Sequence, residues 1–170
     1  MEKMLFRYKY GNTVYIVSLL LLASYLSIFV PFFGVMLSDG TLHYFQLFKV
    51  VFGGSETFVS NGYMYSFSFK LNIFLLFYEH FILIALFGSL FSRNSPRNLL
   101  FTLVLAIACL VGSFFIGFFI VSVDKGFRYQ DLQFGPGYFM QIGFLLLACV
   151  ALVIMFIRSK IFWNKRLGRA

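Results

Sequence analysis

The sequence predicts an all-α membrane protein. Its form would be a four-transmembrane-helix antiparallel bundle, with a small extracellular antiparallel β-sheet built from the two outer loops. Three observations predict this. First, 61% of the 170 residues are hydrophobic and 12% charged, against about 45–50% and about 25% in ordinary soluble domains. Second, four apolar stretches, at about 14–36, 71–91, 99–123 and 138–157, are each long enough to cross hydrocarbon, because 20 helical residues rise about 30 Å. Third, the basic residues cluster. Ten of the 14 Lys and Arg fall in three patches: Lys3, Arg7 and Lys9; Arg93 and Arg97; and Arg158, Lys160, Lys165, Arg166 and Arg169. The other four share their loops with Asp39, Glu56, Asp124 and Asp131. That asymmetry places both termini in the cytoplasm of a multi-pass cell-membrane protein.

A single domain, residues 1–170, is expected, because the loops are too short to hold another. The net charge of +8 reads as a topology signal and a contact for lipid head groups, not as a nucleic-acid footprint. Cys109 and Cys149 both lie within spans and no CxxC occurs, which argues against a disulfide framework.

Residues 1–10 form a basic tail. The first span resembles a secretory signal at its start, but its apolar run continues well past Ala23 and is expected to be retained. Pro31 and Gly34 loosen its outer end. Residues 37–70 form a long outer loop whose period shifts from helical to two. Leu42 to Phe52 reads as a strand, with an amphipathic helix presenting Leu42, Phe45, Phe48 and Phe52 as the alternative. Asn61-Gly62 is a strong hairpin signal. Beyond it Tyr63, Tyr65, Phe67 and Phe69 alternate with Met64, Ser66, Ser68 and Lys70, giving one aromatic face. About three strands are expected, resting this aromatic face on the outer ends of the helices, with Tyr63, Tyr65, Phe67 and Phe69 also the candidate outer recognition surface. The basic turn Ser92–Arg97 makes spans two and three antiparallel neighbours. In the second outer loop, 124–137, Phe127, Tyr129 and Asp131 suggest an edge strand, stopped by Gly135-Pro136-Gly137. The tail after Ile157, with Phe162 and Trp163 among basic residues, fits an interfacial anchor.

The second span alone carries ionisable side chains, Glu79 and His80. Burying a carboxylate in hydrocarbon costs several kcal/mol, so such groups face a bundle interior and have partners. Adjacent helical residues point about 100° apart, so the two cannot share a target. Glu79 is expected nearer the outer face. It reads either as a proton- or cation-linked site or as a neutral packing group bonded to another helix. Small residues make rows suited to close helix packing: Cys109, Ser113 and Gly117, with Ala108 and Gly112 beside them, and Gly143 on the fourth span. No HExxH motif, phosphate loop or carboxylate cluster occurs, and the histidines, His43 and His80, are far apart in this layout. Neither enzymatic activity nor any cofactor or metal is expected.

Four spans, cytoplasmic termini, a long strand-rich first outer loop and the tight turn at Ser92–Arg97 resemble the claudin-like tetraspan group and small four-span bacterial membrane proteins. Residues 37–70 lack the tryptophans and cysteine pair of the claudin loop, so no site residue carries over. The resemblance implies action by lateral or outer-face contact with another membrane protein or a second copy. Four-span multidrug exporters are similar in having one intramembrane glutamate, although theirs lies in the first span and their loops are shorter. They imply an alternative, an oligomeric proton-coupled transporter using Glu79. Self-protection against a membrane-active toxin is a third expectation.

Overall fold

The computed structural model describes residues 2–92, 96–123 and 132–167. In chain order the elements are α1 (Glu2–Leu26), β1 (Pro31–Met36), β2 (Leu42–Gln46), α2 (Leu47–Phe52), β3 (Gly54–Ser60) and β4 (Tyr63–Phe69). Then come α3 (Ile73–Ser92), α4 (Pro96–Ser113), α5 (Ile116–Val123), β5 (Leu132–Phe134) and α6 (Pro136–Leu167). Three helical stretches are long and apolar enough to cross a membrane: Asn12–Phe29, Ile73–Phe91 and Pro136–Ser159. Arg97–Ser113 is apolar but shorter.

The long helices pack as a ring. α1 lies against α3 and α6, and α4 lies against the same two. α3 and α6 therefore stand on one diagonal. Small and hydroxyl residues set the close contacts. A Cβ on Gly88 would lie 2.8 Å from Thr102 Oγ1, so glycine permits the α3–α4 approach. The Ser18 and Ser89 hydroxyls meet at 2.6 Å between α1 and α3. Large apolar side chains cover the outside of the ring, among them Phe77 (59% exposed), Phe118 (62%) and Leu19 (64%). An apolar surface of this extent suits hydrocarbon and not water.

Several expectations need correction. The first apolar run is not helical to residue 36. α1 ends at Leu26, a 3₁₀ turn covers Ser27–Phe29, and Pro31 opens β1. Proline has no amide hydrogen and pushes the residue before it out of the helical region; Val30 accordingly sits at ψ 151°. The N-terminal ten residues are not a tail before the helix, because α1 starts at Glu2.

Residues 42–52 divide between the two readings. Leu42–Gln46 is strand and Leu47–Phe52 is helix. Phe45 is buried from the strand, whereas Leu47, Val50 and Val51 are buried at helical spacing. Gly53, at φ +77°, ends the short helix.

The strands form two sheets, not one. β1 is central in the first, between β2 and β5, all antiparallel. β3 and β4 form a separate hairpin. Its two-residue turn has Asn61 at φ +48° and Gly62 at φ +81°, the left-handed pair that matches strand twist. Phe45 ties the sheets together. Its ring lies 5.5 Å from Phe33, 5.2 Å from Phe69 and 5.0 Å from Phe67. In the second loop the described strand is Leu132–Phe134; Phe127, Tyr129 and Asp131, on which the expected edge strand rests, lie outside the described residues.

The third apolar run is broken. α4 stops at Ser113 and α5 begins at Ile116. Gly112 and Ser113 sit at the break, and such pairs favour kinks. The Phe114 and Phe115 amides bond three residues back, to Val111 and Gly112 carbonyls, which tightens the turn. At the other end, α6 runs through Leu167 and so continues past the expected exit at Ile157.

Candidate functional site

Asn72 starts α3. Its Oδ1 accepts the Leu75 amide at 3.1 Å, a side-chain cap, while its Nδ2 donates to the Phe119 carbonyl of α5 at 2.7 Å. One buried side chain therefore fixes both the helix start and its neighbour. Glu79 follows six residues after Ile73, about 9 Å along the axis, in the part of α3 nearest the sheets. It is 3% exposed.

The partner of Glu79 comes from α6. Gln141 Nε2 donates to Glu79 Oε1 at 2.9 Å, and Gln141 is fully buried. The bond crosses the diagonal of the helix ring. Gln141 was absent from the sequence reading, which searched the spans for charge. A lone amide in an otherwise apolar span was the available signal, because an unpaired buried amide is costly. The Gln141 backbone carbonyl also accepts a long bond, 3.4 Å, from Ser24 Oγ of α1.

Two atoms of this pair are left without partners: Glu79 Oε2 and Gln141 Oε1 are buried and make no hydrogen bond. Tyr78 Oη is a third such atom. Tyr78 has Glu79, Cys109, Tyr138 and Ser113 as its polar neighbours, and the Ser113 hydroxyl donates to the Leu110 carbonyl at 2.6 Å.

His80 is exposed, and its Nδ1 lies 2.7 Å from the Leu76 carbonyl. Glu79 and His80 do diverge as the helical step requires. The predicted small-residue rows are not one interface. Cys109, Ser113 and Gly117 are buried. Gly112 receives the Tyr78 ring, which stands 3.1 Å from where its Cβ would be. Ala108 is exposed and, with Phe74, Phe77, Phe81 and Cys109, lines an apolar cavity of about 320 Å³. Gly143 meets open space, so no close approach occurs there. Gly88, which lets Thr102 approach α3 closely, was missed because size alone does not show which side of a helix meets a neighbour.

Of the aromatic face, expected both to rest on the helix ends and to offer a recognition surface, most turns inward. Phe69 is 4% exposed, Phe67 is half-buried, and Tyr65 Oη bonds Ser38 Oγ at 3.0 Å. The rings fill the space over Phe45, where burial is favoured. Only Tyr63 stays out, at 67% exposed, joined at the hairpin tip by Val59 and Met64 at 69% and 73%. Val59 and Met64 are directly cross-strand. Below the tip, Glu56 accepts Lys49 Nζ at 2.7 Å and lies 3.4 Å from His43 Nε2, and His43 stacks on Phe58 at 3.6 Å.

Compared with known proteins, the chain matches no family model, no curated protein and no solved structure.

Proposed function

We propose that this chain is a multi-pass protein of the cell membrane that acts without catalysis, as an accessory subunit held to another membrane protein or a second copy. The observation that carries this is the hairpin tip. Val59, Tyr63 and Met64 present apolar side chains at 67–73% exposure on a hairpin anchored by Phe67 and Phe69. A rigidly mounted apolar tip is suited to a partner pocket, where a few such residues supply most of the binding energy. In this reading α4 and α5 together make a fourth crossing. The basic patches face the cytoplasm and anionic lipid, and the sheets lie outside.

The test is site-specific photo-crosslinking from position 63 in native membranes. A discrete protein adduct, lost in Met64→Lys, is expected. Adducts to lipid alone, or none, would sink the reading.

A second reading has its own observation. Glu79 and Gln141 form a buried pair with acceptors left unfilled, beside a helix break. That arrangement supports a proton-coupled transporter with Glu79 as the coupling group. Proton-linked flux in liposomes that survives Glu79→Gln unchanged would eliminate it.

A further inference from the structure

We infer that the Glu79 carboxyl is held neutral in the folded protein and closes a reciprocal acid–amide pair with Gln141. The inference starts from the two orphaned atoms. Glu79 Oε2 and Gln141 Oε1 are both acceptors when the carboxyl is ionised, both are buried, and neither has a donor. They belong to the same two side chains that already share one bond, Gln141 Nε2 to Glu79 Oε1 at 2.9 Å. A proton on Oε2 turns that oxygen into a donor and gives it the Gln141 carbonyl as acceptor. One proton thus satisfies two atoms and makes an eight-membered ring of two hydrogen bonds.

The surroundings favour this over an ionised carboxylate. Among the described residues both ion pairs belong to Glu56, and none reaches Glu79. The titratable groups that interact with it are Tyr78 on its own helix and Cys109 on α4, with Tyr138 and Cys149 of α6 next in line through these two. None of these is a cation. An uncompensated charge in such a setting is strongly unfavourable. Tyr78 Oη makes no bond to the carboxyl, and a bond from it would still leave Gln141 Oε1 unmatched. The neighbouring cavity is lined by neither Glu79 nor Gln141. The result is a proton-holding site on the diagonal of the helix ring, independent of the contact role proposed above.

Infrared difference spectroscopy of the full chain in lipid, wild type minus Glu79→Gln near neutral pH, reads the protonation directly. A carboxylic-acid carbonyl band present in wild type and absent in the variant is expected. In Gln141→Leu that band moves to higher frequency, because its hydrogen bonds are gone. Gln141→Met serves where leucine is not accommodated. Loss of carboxylate bands alone in Glu79→Gln overturns the inference, because the group is then ionised. An acid band that ignores the Gln141 substitutions overturns the pairing. If Glu79→Gln does not fold, the exchanged pair, Glu79→Gln with Gln141→Glu, must restore both folding and the band.

Discussion

Gln141 donates to Glu79 at 2.9 Å between two helices that stand diagonally across the ring. Both side chains are buried where they meet. Gln141→Leu leaves the carboxyl without its donor, and a loss of about 1–3 kcal/mol is expected. Glu79→Gln keeps a donor and acceptor on each side and should fall within about 1 kcal/mol of wild type. Thermal unfolding in detergent separates the two. Equal losses would mean that the bond is incidental.

The α3–α4 contact depends on Gly88. Its missing Cβ would stand 2.8 Å from Thr102 Oγ1, so Gly88→Ala should cost about 1–3 kcal/mol through overpacking. Thr102→Ala removes the opposing atom and should recover most of that loss. A double-mutant cycle with additive effects would show that the helices part without strain.

Asn72 does two jobs, and substitution can divide them. Asn72→Ala loses the α3 cap and the bond to Phe119, costing about 1–3 kcal/mol. Asn72→Asp keeps an acceptor for the Leu75 amide but cannot donate to Phe119. Its amide exchange should rise at α5 and stay unchanged at the start of α3. Protection at both sites would contradict the division.

Gly62, at φ +81°, closes the hairpin in a conformation that costs an L-residue about 1–2 kcal/mol. Gly62→Val should raise hydrogen exchange across β3 and β4 and weaken partner crosslinking, with the helices unaffected. Asn61→Gly should be tolerated.

Asp39 provides a pH-dependent check in the loop. The Thr41 hydroxyl donates to its Oδ1 at 2.6 Å and the Thr41 amide at 2.9 Å. The Thr41 hydroxyl, then Ser60, holds the carboxyl below the usual carboxylate range. Because the folded value is the lower one, this contribution is present above the ordinary carboxylate range and is lost as pH falls through the folded value. In Thr41→Val the Asp39 titration, followed by NMR, should move up toward the ordinary value.

Some features could be read from residues alone because they are local. The Asn61-Gly62 turn needs left-handed backbone whatever surrounds it. The divergence of Glu79 and His80 follows from the helical step. Other features were not local. β1 was hidden in an apolar run, because periodicity cannot separate a buried strand from a helix end when every residue is apolar. Which rings the aromatic face meets was not local either: Phe69 packs on Phe33 and Phe45, more than 15 residues away in the chain.

By itself the sequence determined that the chain has long apolar helices, a hairpin at residues 61–62, and one carboxylate within an apolar helix. Those are properties of composition and of short spacing. Only the tertiary structure decided what that carboxylate meets. Gln141 lies 62 residues away, and no helical or strand period links the two. Their meeting depends on the way four helices close a ring, with α3 and α6 on its diagonal.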